Sequence, residues 1–289
     1  MFPNVFEYFR AASVQEAVSL LAHHGEDARP LTGGQSLIPL MKMRLVNPAV
    51  LVDLNPIPDL DYVRRNNGSI EIGALARHAD VEESTVIRIQ LPIALDAAML
   101  VGDMQVRNLG SVAGAVAEAD PGGDWGPVLL AAGGQMRCVG PGGPRMVEAS
   151  EFYVDFLTTA LKPAEIITEI RLPVPPPRSG GAYVKLERRS GDFAVVGAAV
   201  QLTVGADGVC REIGIGLAGV GAIPIKPTAA EAVLRGSTLS EAAIDEAAHL
   251  IDAAIDPVSD IRADADYRRE MVGIYFRRAL ERARERLTG

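Results

Sequence analysis

The stretch RPLTGGQSLIPLMKMRL, residues 29–45, sets a pair of adjacent glycines between two apolar runs. Without a Cβ, adjacent glycines let the chain turn sharply and aim successive backbone N–H groups at one anion. Gln35 and Ser36 follow directly and add side-chain donors. A second stretch of small residues, RNLGSVAGAVAEADPGGD, spans residues 107–124. Its centre, residues 111–115, permits close backbone approach, and Asp120 and Asp124 supply acceptors for hydroxyl groups. Each stretch alone reads as an ordinary tight turn. Together they can grip a pyrophosphate without a P-loop lysine.

Working outward, Ser13 and Glu16 form an S-x-x-E capping box ahead of Val14, Ala17, Val18 and Leu21, which share one helical face, and the helix should end near Gly25. PLTGGQSL, VNPAVLVDL and SIEIGALA read as strands of an α/β or α+β region. Residues 92–101 read as a helix with Pro92 in its first turn. The Gly-, Ala- and Asp-rich residues 106–124 read as a loop, and EIITEIRL, residues 165–172, as a strand. PVPPPRSGG, residues 173–181, holds four prolines and two glycines and reads as an interdomain linker. AYVKLERR, FAVVGAAVQLTV and REIGIGLAGVGAIPI follow as three strands, with turns short enough for an antiparallel sheet. Helical patterns lie at 229–234, 241–255 and 266–287, giving an α+β domain.

The composition of the 289 residues, 48% hydrophobic and 22% charged, is that of a globular protein, and a length near the limit of a single core favours two domains. With 28 basic against 37 acidic residues the net charge is −9, which argues against binding nucleic acid or an anionic membrane. The longest uncharged stretch, residues 193–206, falls short of the ~20 apolar residues of a spanning helix, so no integral membrane protein is expected. Cys138 and Cys210 lie 72 positions apart without CxxC or CxxH, which excludes a cluster or structural zinc site built from them. Glu7 and Arg10 sit where a signal peptide would be apolar, so a cytoplasmic protein is expected. No acid–base dyad or nucleophile stands out. His23, His24, His78 and His249 are scattered and read as surface or capping residues. Gly214, Gly216 and Gly219 match G-x-G-x-x-G, but Pro224 and Pro227 stop any helix from opening after them. Small residues alternating on a tightly packed strand explain that spacing better than a dinucleotide loop.

Three runs in this order, RPLTGGQSLIPLMKMRL, VRNLGSVAGAVAEADPGGDWGPVLLAAGG and YVKLERRSGDFAVVGAAV, closely resemble the FAD-binding medium subunit of molybdenum hydroxylases. That family includes aerobic carbon monoxide dehydrogenase and the flavin portion of xanthine dehydrogenase, and the resemblance covers essentially the whole chain. It implies an α+β protein. Residues 1–176 would form a vanillyl-alcohol-oxidase (PCMH)-type FAD-binding domain of two α/β subdomains, about 1–56 and 57–176. Residues 177–289 would form a smaller C-terminal domain of a three-stranded antiparallel sheet plus helices.

The resemblance also implies which residues meet FAD. The first pyrophosphate loop corresponds to Thr32, Gly33, Gly34, Gln35 and Ser36, flanked by Leu31 and Leu37. The second corresponds to Ser111, Val112, Ala113, Gly114 and Ala115, with Ala113 where the family has glycine and Ala115 where it has Asn or Asp. Val101 belongs to the same implied set, Asp124 meets the sugar part, Ile167 packs on the cofactor, and Lys185 lies near the flavin. Asp192 and Phe193 fall in the family's flexible loop beside the flavin ring. Without the resemblance Lys185 reads as a surface strand lysine. Implied partners are a large molybdenum-cofactor subunit and a small [2Fe–2S] subunit, in a dimer of heterotrimers, with an external electron acceptor. No catalytic residue or metal is expected on this chain. The competing readings are a stand-alone flavin oxidoreductase and a flavin-free partner-binding module, the latter favoured only by Ala113 and Ala115.

Overall fold

Three short strands near the N-terminus, β1 (Glu7–Arg10), β2 (Ala28–Leu31) and β3 (Val50–Asp53), pair in parallel in the order β1-β3-β2. The computed structural model describes residues 2–287. Central β3 is buried along its whole length, as a strand covered on both faces requires. Helix α1 (Val14–His24) links β1 to β2. Ser13 caps it by accepting the Glu16 N–H at 3.1 Å, and the Glu16 carboxylate accepts the Ala12 N–H at 2.7 Å. Gly25, at φ 57°, ends it. PLTGGQSL, expected as a strand, is one only through Leu31. Gly34 at φ 68° then turns the chain, and its carbonyl accepts the Ile38 N–H as α2 (Leu37–Lys42) begins.

The second sheet takes β4 (Val63–Asn66) and β5 (Ser69–Gly73) before a helical excursion and β6 (Gln135–Gly140), β7 (Gly143–Glu148) and β10 (Ile166–Pro173) after it. All its pairs are antiparallel, in the order β4-β5-β10-β6-β7. Helix α9 (Ala149–Phe152) and the small hairpin β8 (Tyr153–Asp155) and β9 (Thr158–Thr159) precede β10. The excursion contains α3 (His78–Glu83), α4 (Thr85–Gln90), α5 (Pro92–Leu100), α6 (Met104–Leu109), α7 (Val112–Glu118) and α8 (Trp125–Ala132). Residues 106–124 are therefore not the expected loop, since they hold the end of α6 and all of α7. Asp103 and Ser111 cap these helices by accepting the Val106 and Gly114 amides, and alanines carry α7 past its glycine. Their small-residue composition disguised two N-cap signals.

Beyond residues 174–178 comes a third, antiparallel sheet of β11 (Ser179–Leu186), β12 (Val196–Val204) and β13 (Cys210–Ala218), backed by α10 (Thr228–Leu234), α11 (Glu241–Ala254) and α12 (Ala265–Glu285). One hydrophobic core draws on residues 11–172 together with Tyr183 and Ala199, and a second on residues 182–283. Their contact is tight. A Cβ on Gly214 would stand 1.9 Å from the Ala131 carbonyl oxygen, and one on Gly216 2.0 Å from that of Pro127, because α8 lies directly on β13. The G-x-G-x-x-G spacing is thus a packing device. Across the same contact, buried Asp96 of α5 accepts from Arg282, Arg286 and the Tyr183 amide, fastening the last helix to the first core. Cys138 and Cys210 are buried free thiols. No helix among the described residues is long and apolar enough to cross a membrane.

Candidate functional site

The two small-residue stretches meet. A Cβ on Gly33 would fall 2.2 Å from the Leu109 carbonyl oxygen and 2.6 Å from Gly110 Cα, so a glycine is needed there for close approach and at Gly34 for its positive φ. Thr32 Oγ1 and Ser111 Oγ lie 2.6 Å apart across the contact. Ser111 also receives the Gly114 N–H, and a Cβ on Gly114 would stand 2.8 Å from that hydroxyl. The cradle is braced from behind. Arg77 donates to the Leu109 carbonyl at 2.7 Å and to Asn55 Oδ1 at 2.6 Å, while Asn55 donates to the Thr32 carbonyl at 3.0 Å. Neither Asn55 nor Arg77 was singled out from the sequence. Nothing local marks them, because each acts on a carbonyl more than twenty positions away.

From Leu31 to Leu37 every residue is half-buried. Gln35 Nε2 turns back to the Gly33 carbonyl at 3.3 Å, and the Ser36 hydroxyl donates to Glu118 at the end of α7. Val112 and Ala113 are buried inside α7, where helical backbone tolerates the Ala113 methyl group, and Ala115 is half-buried one turn on. Burial raises the Glu118 carboxyl above its usual range, opposed by the Ser36 hydrogen bond and reinforced by Asp120. Asp120 is itself raised by burial, against the Gly122 N–H that it accepts at 2.8 Å.

A second cluster joins the two cores. Asp124 accepts the Tyr183 hydroxyl at 2.8 Å and pairs with Lys185 Nζ at 3.2 Å. Burial pushes the Asp124 carboxyl up to about 6 although Lys185 and Tyr183 pull it down. The Lys185 side chain is fully enclosed, and its ammonium also donates to the carbonyls of Leu100 and Asp192 and pairs with Glu187. A surface strand lysine it is not. Half-buried Val101 follows that Leu100 carbonyl, with Arg107 donating to the Val101 oxygen at 3.3 Å. Phe193, exposed beside Asp192, carries the Arg262 guanidinium over its ring. Ile167 is buried in β10 opposite Cys138. The expected surface or capping role also fails for His78. It is 3% exposed, accepts the Trp125 indole N–H at 3.1 Å, and is pushed down to about 4 by burial and then by Arg107 and Arg77. The structure therefore gathers Thr32–Ser36 with Ser111–Gly114, and separately Asp124 with Lys185. Among the described residues no metal-ligand cluster accompanies them. Such a site offers an anion backbone and hydroxyl donors, and the glycines at 33 and 114 are what let the two segments close on each other.

Residues 4–175 match the family described as the FAD binding domain in molybdopterin dehydrogenase, and residues 181–283 match the CO dehydrogenase flavoprotein C-terminal domain. The chain is 42% identical over 286 residues to the carbon monoxide dehydrogenase medium chain of Afipia carboxidovorans, covering 99% of each. It is 37% identical to the 6-hydroxypseudooxynicotine dehydrogenase complex subunit alpha of Paenarthrobacter nicotinovorans, covering 99% of this chain and 97% of that one. A solved carbon monoxide dehydrogenase structure from Hydrogenophaga pseudoflava superposes with a TM-score of 0.97 at 38% identity, covering all of both chains.

Proposed function

Since this chain belongs to the family of FAD-binding medium subunits of molybdenum hydroxylases, we propose that it holds FAD with the diphosphate between Thr32–Ser36 and Ser111–Ala115 and the flavin toward the Asp124–Lys185 cluster. The observation that carries this reading is the contact of Gly33 with the Leu109–Gly110 backbone, locked by the Thr32–Ser111 hydroxyl pair. It makes one cradle from two loops. Thr32, Ser36 and Ser111 supply hydroxyl donors, Leu31 and Leu37 flank them, and Val101 and Ile167 supply apolar surface. Lys185 neutralises the charge of Asp124 and holds the backbone beside Asp192. Residues 1–176 and 177–289 serve as the FAD-binding and C-terminal domains.

When bound, FAD supplies the capacity to take up electrons singly and pass them on in pairs. The protein's part is to bind and orient it. Electrons would arrive from [2Fe–2S] clusters of a small subunit, fed by a molybdenum cofactor in a large subunit, and leave to an external acceptor. A dimer of heterotrimers in the cytoplasm is the assembly proposed. The relatives' names carry different substrates, carbon monoxide in one and 6-hydroxypseudooxynicotine in another, at similar identity to this chain. That supports placing substrate choice outside this subunit. The test is reconstitution of the purified chain with FAD followed by gel filtration. Retained flavin absorbance is the expected result, with no turnover of small substrates by the isolated chain. A chain that keeps no flavin overturns the reading, and turnover by the chain alone favours a stand-alone oxidoreductase.

A further inference from the structure

Glu118 has no part in the binding scheme above, yet it touches the cradle. It ends α7, and its carboxylate accepts the hydroxyl of Ser36, a residue of the first glycine loop 82 positions away. A carboxylate in that place occupies a donor that an incoming diphosphate needs, and it adds negative charge beside an anionic ligand. Among the described residues no Lys, Arg or His lies within ion-pair distance of it. Its surroundings offer no other relief. The first glycine loop, residues 31–38, carries no titratable group, and neither do α8 and β9, which pack on α7. On β10, Glu169 and Arg171 are paired with each other, and the charged neighbour on its own loop is Asp120, another acid.

We infer that Glu118 makes cofactor binding proton-linked, so that the cradle takes up a proton on Glu118 as it takes up the diphosphate of FAD and releases the Ser36 hydroxyl to the ligand. This rests on the FAD site proposed above. The proton comes from solvent or buffer: an O–H bond forms on the Glu118 carboxylate as one breaks in the hydronium or buffer acid that donates it, and no other covalent bond changes. Burial already raises this carboxyl in the free protein, and an anionic ligand raises it further. The sign follows from linkage. The ligand prefers the protonated form, so affinity is highest at low pH and falls as pH rises through the free-state pKa, levelling above the bound-state value.

The experiment is calorimetric titration of the full chain with FAD between about pH 5 and 8, in two buffers of different ionisation enthalpy, for the wild type and Glu118→Gln. The wild type should take up a fraction of a proton per FAD and bind about tenfold more weakly at the upper end of that range, a change equal to roughly 1.4 kcal/mol. Glu118→Gln should bind about tenfold more tightly than wild type at the upper end, with most of the proton uptake gone. ADP, which carries the diphosphate without the flavin, should show the same dependence. If E118Q fails to fold, the buffer dependence of the wild type still reports proton uptake. FAD binding without proton uptake, or with E118Q indistinguishable from wild type, overturns the role of Glu118 and leaves the FAD site standing. Failure to bind FAD at any pH overturns both.

Discussion

Gly33→Ala tests the cradle most directly. The added methyl would meet the Leu109 carbonyl oxygen at 2.2 Å and Gly110 Cα at 2.6 Å, both backbone atoms with no rotamer to change. A carbon–oxygen contact settles near ~3.3 Å, so one loop must retreat by about 1 Å. The second loop is pinned against such a move, because the Leu109 carbonyl holds Arg77 at 2.7 Å and the Gly110 carbonyl holds the His78 N–H at 3.1 Å. The first loop can move only by parting Thr32 from Ser111. Retreat of the second loop breaks the charged hydrogen bond from Arg77, about 2 kcal/mol, and retreat of the first breaks the hydroxyl pair and the Asn55 bond to the Thr32 carbonyl, about 1 kcal/mol each, so either route costs about 2 kcal/mol, roughly thirtyfold in FAD affinity. Gly34→Ala is the control. Its nearest atoms are side-chain carbons of Ile38 at 3.0 Å and Leu31 at 3.3 Å, which need to shift by only a few tenths of an ångström, so its main cost is the positive φ, about 1 kcal/mol or roughly fivefold. Calorimetric FAD titration of both full-length variants, with thermal melts to establish that each is folded, supplies the comparison. A Gly33→Ala protein binding within about threefold of wild type, or binding better than Gly34→Ala, would refute the two-loop cradle.

Three further outcomes are expected. The buried His78 imidazole stays neutral down to about 4, whereas in the unfolded chain it protonates below about 6.5; the stability it confers is present above that value and lost as pH falls through 4, by about 3 kcal/mol in all. His78→Asn, which keeps an acceptor for Trp125, should therefore show a shallower fall in denaturation midpoint between these pH values, and an unchanged slope would contradict it. Asp96→Asn should loosen α12 by removing the charge that faces Arg282 and Arg286, costing about 2 kcal/mol since both arginines are partly exposed; urea denaturation and limited proteolysis of the C-terminal helix would report it, and wild-type values in both would count against the clasp. Gly216→Ala should lower stability by about 2 kcal/mol through its clash with the Pro127 carbonyl while leaving the FAD affinity of the folded protein within about threefold. Selective loss of FAD affinity there would revive the dinucleotide-loop reading.

Some local chemistry, where a residue and its partner lie within one turn, was legible in the sequence. Ser13 and Glu16 announced α1, the strand runs after the proline-rich segment announced the antiparallel sheet, and Pro224 with Pro227 disposed of the G-x-G-x-x-G match. Residues 106–124 were misread because glycine, alanine and aspartate suit both a loop and a short capped helix. The deciding bonds, from the Val106 and Gly114 amides to Asp103 and Ser111, are matters of conformation. The family resemblance placed Asp124 and Lys185 near one cofactor. That they neutralise each other, with Lys185 enclosed by the Leu100 and Asp192 carbonyls, depends on two cores coming together.

The sequence by itself thus determined the family, the α+β class and the turn at Gly33–Gly34, because these are written in residue types that restrict backbone conformation locally. Only the tertiary structure decided what Gly33 is for, why Arg77 and Asn55 matter, and that Glu118 faces Ser36. Each of these rests on contact between segments that are tens of residues apart, and such contacts are fixed by packing, which no local pattern records.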